Sequence, residues 1–276
     1  MVRLAVTTPV AIFLWAAILT LLERKFPYLP GYKVFRPGFW TDLFWYALVQ
    51  SYLLALVIAL IIRTADGISG LSELRLVRDW PIWLQVVFFL SAHDLWQYWF
   101  HRFQHRNFLL WRTHEAAHAP LHVDWLAGSQ SHASEILIAQ TIEFAPIFLL
   151  GASPEVPIIK GLIDAIWGMY NHSNIDIKTG RLLYVFNGPE LHRWHHDLET
   201  PRGGVNLSTK LSIWDWIWGT AYYPKHRKAG LYGLGNGNEF PYESYFKQFT
   251  YIFRPRSGEA AKRARADEAF EPAGID

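Results

Sequence analysis

Hydrophobic residues in this chain gather into long runs that alternate with polar, histidine-rich stretches. Residues 4–22 are almost wholly apolar and end at a charged Glu-Arg-Lys triplet, and residues 45–62 form a second run that ends at Arg63. Each run predicts a membrane helix, and the second reaches the ~20 residues needed to cross hydrocarbon together with its interfacial neighbours. Only Arg3 is basic ahead of the first run, and no small-residue cleavage site follows, which favours an uncleaved anchor over a signal peptide.

Three further apolar stretches complete the pattern. Residues 80–90 run on through HDLWQYWFHRFQH, and no proline or glycine interrupts that continuation. We therefore predict one long helix whose histidine-bearing end leaves the bilayer. Residues 136–150 and 156–170 are separated by Gly-Ala-Ser-Pro, which is a turn signal. Because each run is short for a full crossing, we predict a helical hairpin over 136–170 that enters and leaves the membrane from one side.

The same pattern divides the chain into three regions. Residues 1–80 are predicted to be membrane anchor helices, residues 81–250 hold the histidines and the hairpin, and residues 254–276 form a charged tail. Basic residues number four in the loop 23–38 and three in the loop 63–79, and many more follow residue 171. By the positive-inside rule, this places the histidine-rich part on the cytoplasmic side of a multi-pass membrane protein.

Composition supports a membrane location and excludes several kinds of chemistry. Hydrophobic residues make up 51% of the chain and charged residues only 18%, below the roughly 25% usual in soluble domains. A net charge of +2, with no basic run interleaved with aromatic residues, argues against a nucleic-acid partner. The absence of cysteine rules out disulfides, thiolate metal sites and thiol nucleophiles.

Histidines provide the candidate chemistry. Nine of the twelve lie in short clusters, namely His101, His105, His114, His118, His132, His172, His192, His195 and His196. Residues four apart on a helix project from one face, about 6 Å apart along the axis. The first two pairs can therefore each reach one metal ion, and the triplet at 192, 195 and 196 places three imidazoles together. Seven such ligands exceed the three or four that one zinc ion takes, so two adjacent ions fit better.

The identity of the metal follows less directly from the residues. Neutral nitrogen ligands at a membrane, without a nearby catalytic serine or cysteine, suit dioxygen activation better than hydrolysis, so we expect iron. Imidazole ligands also accept zinc, copper or manganese. A membrane haem protein, a metal transporter and a zinc-dependent hydrolase therefore stay open as alternatives.

Six blocks between residues 94 and 220 resemble the fatty acid hydroxylase / sterol desaturase superfamily. In order, they read DLWQYWFHRFQH (94–105), LWRTHEAAH (110–118), DWLAGSQSH (124–132), NHSN (171–174), PELHRWHH (189–196) and SIWDWIWGT (212–220). The resemblance implies an all-α integral membrane protein with about four transmembrane helices and a cytosolic helical cap that holds a histidine-rich dimetal site. It also implies two iron ions and dioxygen as co-substrate. The expected reaction is hydroxylation of a C–H bond in a fatty acyl, sterol or carotenoid substrate, with desaturation by the same site as the alternative.

The ligands are carried over from the superfamily motifs residue by residue. The resemblance assigns metal binding to His101, His105, His114, His118, His172, His192, His195 and His196. The second motif departs from the family pattern H-x-x-H-H, because Ala117 stands where a histidine is expected. His122 and Asp176 are candidates to fill the gap, whereas His93 lies ~12 Å along the helix from His101. His132 either binds metal or contacts substrate, and an inactive, non-enzymatic relative is also open because of Ala117.

Carboxylates near the histidine motifs are candidates to orient the imidazoles, since metal-bound histidines commonly donate their second N–H to a carboxylate. Asp94 and Asp215 are the preferred candidates, ahead of Glu115, Glu135 and Asp197, and a role of these two in capping or helix packing is an equal alternative. Glu143 lies inside an apolar run, where an ionisable group suggests function unless it faces the hydrated cap. Because we recognise no fused haem or flavin domain, we expect electrons to come from a separate redox protein.

Overall fold

The computed structural model describes residues 2–200, 204–235, 240–242 and 244–254 of the chain, with the side chains of residues 2–6 left aside. The predicted charged tail, residues 254–276, lies outside this part except for Arg254. The described chain is helical, with an isolated backbone bridge between Pro27 and Ile175 and no named strand. The helices are α1 (Val2–Lys25), α2 (Ser51–Ser69), α3 (Ile82–Arg106), α4 (Phe108–His118), α5 (Ala133–Leu149), α6 (Val156–His172), α7 (Pro189–His196), α8 (Ile213–Ile217) and α9 (Tyr245–Tyr251).

Two helices are long and apolar enough to cross a membrane by length and composition. They are Thr7–Lys25 of α1 and the continuous helix Thr41–Ser69, whose first turns, Thr41–Gln50, are π-helical and lead into α2. Both runs were predicted from the sequence. Large apolar side chains on them face outward, and Phe13 is 74% exposed. Apolar surface of this extent suits contact with lipid rather than water. The four membrane helices that the resemblance implies stay a prediction.

The long helix and the hairpin expected from the sequence are both present. The third apolar stretch and its histidine-bearing continuation form one helix, α3. Helices α5 and α6 are joined by residues 150–155 and pack on α2 and α1 respectively, and α6 also packs on α3 and α7. A buried apolar core with Phe89, Ile147 and Val156 joins α3 to the turn end of the hairpin. At its other end, the hairpin carries His132 and His172 toward the ends of α3 and α7 that bear histidines.

A buried ionic cluster fixes the loop between α1 and the π-helical segment. Arg36 forms two hydrogen bonds to Asp124, with Nε–Oδ2 at 2.6 Å and Nη2–Oδ1 at 3.0 Å, and pairs with Asp42 at 2.8 Å. Asp124 also accepts hydrogen bonds from the backbone N–H groups of Leu126 and Ala127. The turn after α4 is therefore attached to the first part of the chain by charge-assisted hydrogen bonds, which are stronger than neutral ones.

The hairpin turn depends on a glycine in the left-handed backbone region. Gly151 has φ +68°, and a Cβ there would lie 2.7 Å from the carbonyl oxygen of Ser72 and 2.8 Å from Cα of Arg75. We expect Gly151→Ala to lower the free energy of unfolding by about 2 kcal/mol or more, since the backbone conformation alone costs about 1–2 kcal/mol. Thermal unfolding of the purified protein in detergent measures this.

Gly67→Ala is the matched control for the turn variant. Gly67 lies in α2 with an ordinary helical φ, and the Cβ of an alanine there would meet no atom within 4 Å. Alanine in a helix is about 0.5–1 kcal/mol more favourable than glycine, so this variant should unfold at the same temperature or slightly higher. Equal effects of the two substitutions would contradict the role assigned to Gly151.

Candidate metal centre

Five histidines from three helices converge in a first cluster. They are His101 and His105 of α3, His114 and His118 of α4, and His195 of α7, and one nitrogen of each lies within 4.8 Å of the others. The Nε2 atoms of His101 and His114 are 3.0 Å apart. The spacing of four residues within α3 and within α4 places each pair on one helix face, as the sequence predicts.

Three histidines form a second cluster beside the first. His172 at the end of α6 meets His192 and His196 of α7, with their Nε2 atoms 3.0–3.2 Å apart. The clusters adjoin, since the ring centroids of His118 and His196 are 4.5 Å apart. All eight histidines that the motifs marked as ligands are thereby brought together. Helix α7 serves both clusters, whereas its three histidines were expected on one face.

Hydrogen bonds on the outer side of the rings decide which nitrogen faces inward. The Nδ1 atoms of His101, His195 and His172 lie 2.7–2.8 Å from backbone carbonyl oxygens, those of Leu207, Val205 and Gly168. A carbonyl oxygen only accepts, so each Nδ1 carries the proton and each Nε2 keeps its lone pair. The same holds for His114, whose Nδ1 lies 2.8 Å from a carboxylate oxygen of Glu135. Neutral imidazoles with outward N–H groups are what a metal site requires.

The inward nitrogens either face one another or have no hydrogen-bond partner among the described residues. Nε2 of His105, His118 and His195 is buried without a hydrogen-bond partner in the described part of the chain. An unpaired buried polar atom is costly, and the lone pairs that converge in both clusters repel one another. A cation at the centre of each cluster satisfies both conditions. The residues present therefore fit bound metal ions.

Burial keeps four of the clustered histidines neutral. The pKa of His195 is lowered to about 3 because burial penalises the imidazolium, and the neighbouring His114 adds to the effect. Burial, and after it the neighbouring imidazoles, also lowers the pKa values of His118, His192 and His196 well below the ordinary value. At neutral pH, these side chains are therefore free of a competing proton on the ligating nitrogen.

The carboxylates Asp94 and Asp215 do not contact an imidazole within the described residues. Their hydrogen bonds come from backbone N–H groups and from the side chains of Thr209, Trp214 and Thr220. Asp215 accepts from the N–H groups of Leu207 and Ser208 at 2.7 and 3.0 Å, and Asp94 accepts from those of Lys210 and Leu211 at 2.7 and 2.8 Å. Together they fix segment 205–211, whose carbonyl oxygens hold two imidazoles of the first cluster. The role of these carbonyl groups could not be predicted from the sequence, because a residue has a backbone carbonyl whatever its side chain.

Glu135 is a carboxylate that holds a clustered imidazole directly. It is buried, and it lies near the start of α5, 21 residues beyond His114. Its position three residues after His132 marks it as a candidate in the sequence. Its contact with the ring of His114 follows only from the fold, which brings the start of α5 against α4.

The remaining candidate ligands lie outside both clusters. His132 caps α5: its Nδ1 accepts from Ser134, and its Nε2 lies 3.0 Å from the carbonyl oxygen of Phe249. His122 stacks on Tyr32 with ring centroids 4.3 Å apart, and Asp176 is exposed. None of these three compensates for Ala117 in this structure. Within the described residues, the second cluster has three imidazoles against five in the first.

A cavity of about 280 Å³ lies at the end of α1, and its lining includes Asn174, two residues after His172. Its polar lining includes Glu23, Arg24 and Lys33, and its apolar lining includes Val34 and Leu126. The adjacent turn is in tight contact with the cluster, because a Cβ on Gly128 would lie 2.5 Å from Nδ1 of His172. Polar and apolar groups thus meet in this cavity, at the end of a candidate membrane span.

Comparison with known proteins gives a consistent result. Residues 86–220 match the family model described as Fatty acid hydroxylase. The chain is 34% identical over 156 residues to an ornithine lipid hydroxylase, OlsE, of Rhizobium tropici, which covers 56% of this chain and 47% of the relative. It is 28% identical over 155 residues to the alkylglycerol monooxygenase of Danio rerio, covering 56% and 33%. It is 30% identical over 187 residues to sphinganine C4-monooxygenase 1 of Arabidopsis thaliana, covering 64% and 68%.

The chain thus spans less than half of the first two relatives. No solved structure matches it.

The contact between Glu135 and His114 generates a prediction about metal retention. Glu135→Ala leaves the N–H of His114 without an acceptor, and loss of such a partner typically weakens metal binding about 10–100-fold. Glu135→Gln should weaken it less, since the amide oxygen still accepts. Competition between the protein and a chelator for bound Co²⁺ measures the change, with the release of Co²⁺ as the readout. Glu155→Ala, at the start of α6, is the control. Unchanged metal affinity in a folded Glu135→Ala protein would refute the role of this carboxylate.

Proposed function

The chain belongs to the fatty acid hydroxylase family, and from this premise we propose that it is an oxygen-dependent lipid hydroxylase with two iron ions in its two histidine clusters. The observation that carries the proposal is the convergence on two adjacent centres of eight imidazoles, four of which donate an outward N–H group to a backbone carbonyl oxygen or to Glu135. The proposed ligands are the eight histidines of the two clusters. Glu135, Asp94 and Asp215 are proposed to position them.

The proposed reaction replaces a C–H bond of the lipid by a C–OH bond. One dioxygen molecule, two electrons and two protons are consumed for each alcohol formed, and the second oxygen atom leaves as water. The irons would supply dioxygen activation, which no side chain of the protein provides. We propose that a separate redox protein supplies the electrons.

The protein's own contribution is to keep the site rigid, neutral and dry. All eight rings are largely buried, and His118 and the three histidines of α7 are held neutral by burial. Segment 205–211 and Glu135 fix the orientation of three rings in the first cluster. Preorganised ligands of this kind need no rearrangement during the reaction. Positioning of the lipid carbon then decides between an alcohol and, if a second hydrogen is removed, a double bond.

We propose that the substrate is a membrane lipid with a polar headgroup. The relatives named above are, by their names, a hydroxylase of ornithine lipids and monooxygenases of alkylglycerol and sphinganine. The cavity at the end of α1 supports the same class, because its lining offers charged groups of both signs next to apolar walls. We place the headgroup in this cavity, with the hydrocarbon chain toward the apolar helices.

We also propose that α3 and the hairpin α5–α6 join the two candidate spans in the membrane, and that the histidine clusters face the cytoplasm. Apolar residues dominate the turn end of the hairpin and the start of α3, while both histidine clusters lie at the opposite end. The excess of basic residues after residue 171 supports the cytoplasmic side.

Lipid analysis tests the proposed reaction. Cells that express the protein should accumulate a lipid with one additional oxygen atom, and His118→Ala should abolish it because the first cluster loses a ligand. His226→Ala is the matched control, since His226 is exposed and lies outside both clusters. A product that has lost two hydrogens would indicate desaturation instead. A purified protein without iron, or with a strong haem absorbance band, would refute the proposal.

A bulky side chain in the cavity tests where the headgroup binds. Val34→Trp should fill part of the space and lower hydroxylation at a given lipid concentration at least about tenfold, a loss of roughly 1.4 kcal/mol in binding, while the iron content stays unchanged. The control is Val87→Trp, at an exposed position of α3. Equal activity of the two tryptophan variants would place the headgroup elsewhere.

A further inference from the structure

A second group of ionisable side chains is buried away from the histidine clusters. It lies where α3, α5, α6 and segment 205–211 meet, and it consists of His93, Glu143, Lys160, Asp164 and Lys210. Lys160 is completely buried, with an exposure of 0%. Burial of charge inside an apolar hairpin is costly unless every charge is paired, so this arrangement calls for an explanation.

Three members of this group form a ligand set that could bind a metal ion. His93, Glu143 and Asp164 each offer one atom, and these atoms lie within 4.8 Å of one another. One imidazole with two carboxylates is a combination that binds iron, manganese or zinc. The three residues come from α3, α5 and α6, so a cation between them joins three helices.

The ammonium group of Lys160 already contacts all three ligands. Its Nζ contacts Oε1 of Glu143, lies 2.7 Å from Oδ2 of Asp164 and lies 3.2 Å from Nδ1 of His93. Lys210 approaches from segment 205–211 and pairs with the other oxygen of Asp164 at 2.7 Å. Two ammonium groups thus balance two carboxylates, and a further divalent ion would bring uncompensated charge into the hairpin.

We propose that the ammonium group of Lys160 permanently occupies the cation position between His93, Glu143 and Asp164, the three residues called the triad below. Its ammonium group cross-links α3, α5 and α6 as a structural metal ion would, and it excludes metal from a ligand set that would otherwise bind it. Metal is thereby confined to the two histidine clusters. The role of Lys160 does not depend on which metal those clusters hold, nor on the reaction they catalyse.

Cobalt titration of the purified full-length protein in detergent tests this proposal. Lys160→Met removes the ammonium group at similar length, so this variant should bind one more Co²⁺ ion per chain than the wild type. The double variant Lys160→Met/Glu143→Gln should lose that extra ion, because one ligand is gone. Lys178→Met is the control at an exposed lysine and should match the wild type. A folded Lys160→Met protein with the wild-type cobalt count would overturn the proposal.

A second measurement avoids the lysine substitution in case that variant does not fold. In the wild type, the triad should hold no metal, so His93→Ala and Asp164→Asn should leave the number of bound Co²⁺ ions unchanged. If either variant binds one ion fewer, the triad is a metal site in the native protein and Lys160 is not its cation. His195→Ala serves as the positive control, since it removes a ligand from the first cluster and should weaken cobalt binding there.

Discussion

The hydrogen bonds that four of the imidazoles make on their outer side are the constraint on which the rest of this site depends. A neutral imidazole has one N–H group and one lone pair, so donation from Nδ1 to a fixed acceptor turns Nε2 toward the centre. His101, His195, His172 and His114 all follow this rule. Their acceptors are in turn fixed by the fold. The clearest case is segment 205–211, which Asp94 and Asp215 hold in place through hydrogen bonds to its backbone.

Much of the site could be predicted from the spacing of histidines along the helices, because a local period determines which side chains share a face. The pairs on α3 and α4 behave accordingly. Helix α7 shows the limit of the argument: at 100° per residue, His192 and His196 are 40° apart, while His195 lies 60° to the other side of His192. That angle is small enough for one face, yet it lets His195 reach the first cluster and the other two reach the second.

The parts that could not be predicted depend on contacts between distant segments. The carbonyl oxygens of Val205 and Leu207 are independent of side-chain type, so no pattern marks them. His132 lies in a motif that suggests metal binding, but the fold uses both of its nitrogens to cap α5 and to hold the residue Phe249 of α9. The hairpin could be predicted from the apolar runs. The position of Glu143 opposite Lys160 could not, because it depends on how α5 packs on α6.

The unequal size of the two clusters suggests how the proposed reaction is arranged. Five imidazoles nearly fill the coordination sphere of an ion, whereas three leave positions free, as in catalytic metal sites generally. Ala117, where the family pattern has a histidine, adds no ligand to either cluster. The cavity proposed for the headgroup is lined by Asn174, two residues after His172 of the three-histidine cluster. We therefore propose that free coordination positions and space for a substrate lie on the same side of the metal centre.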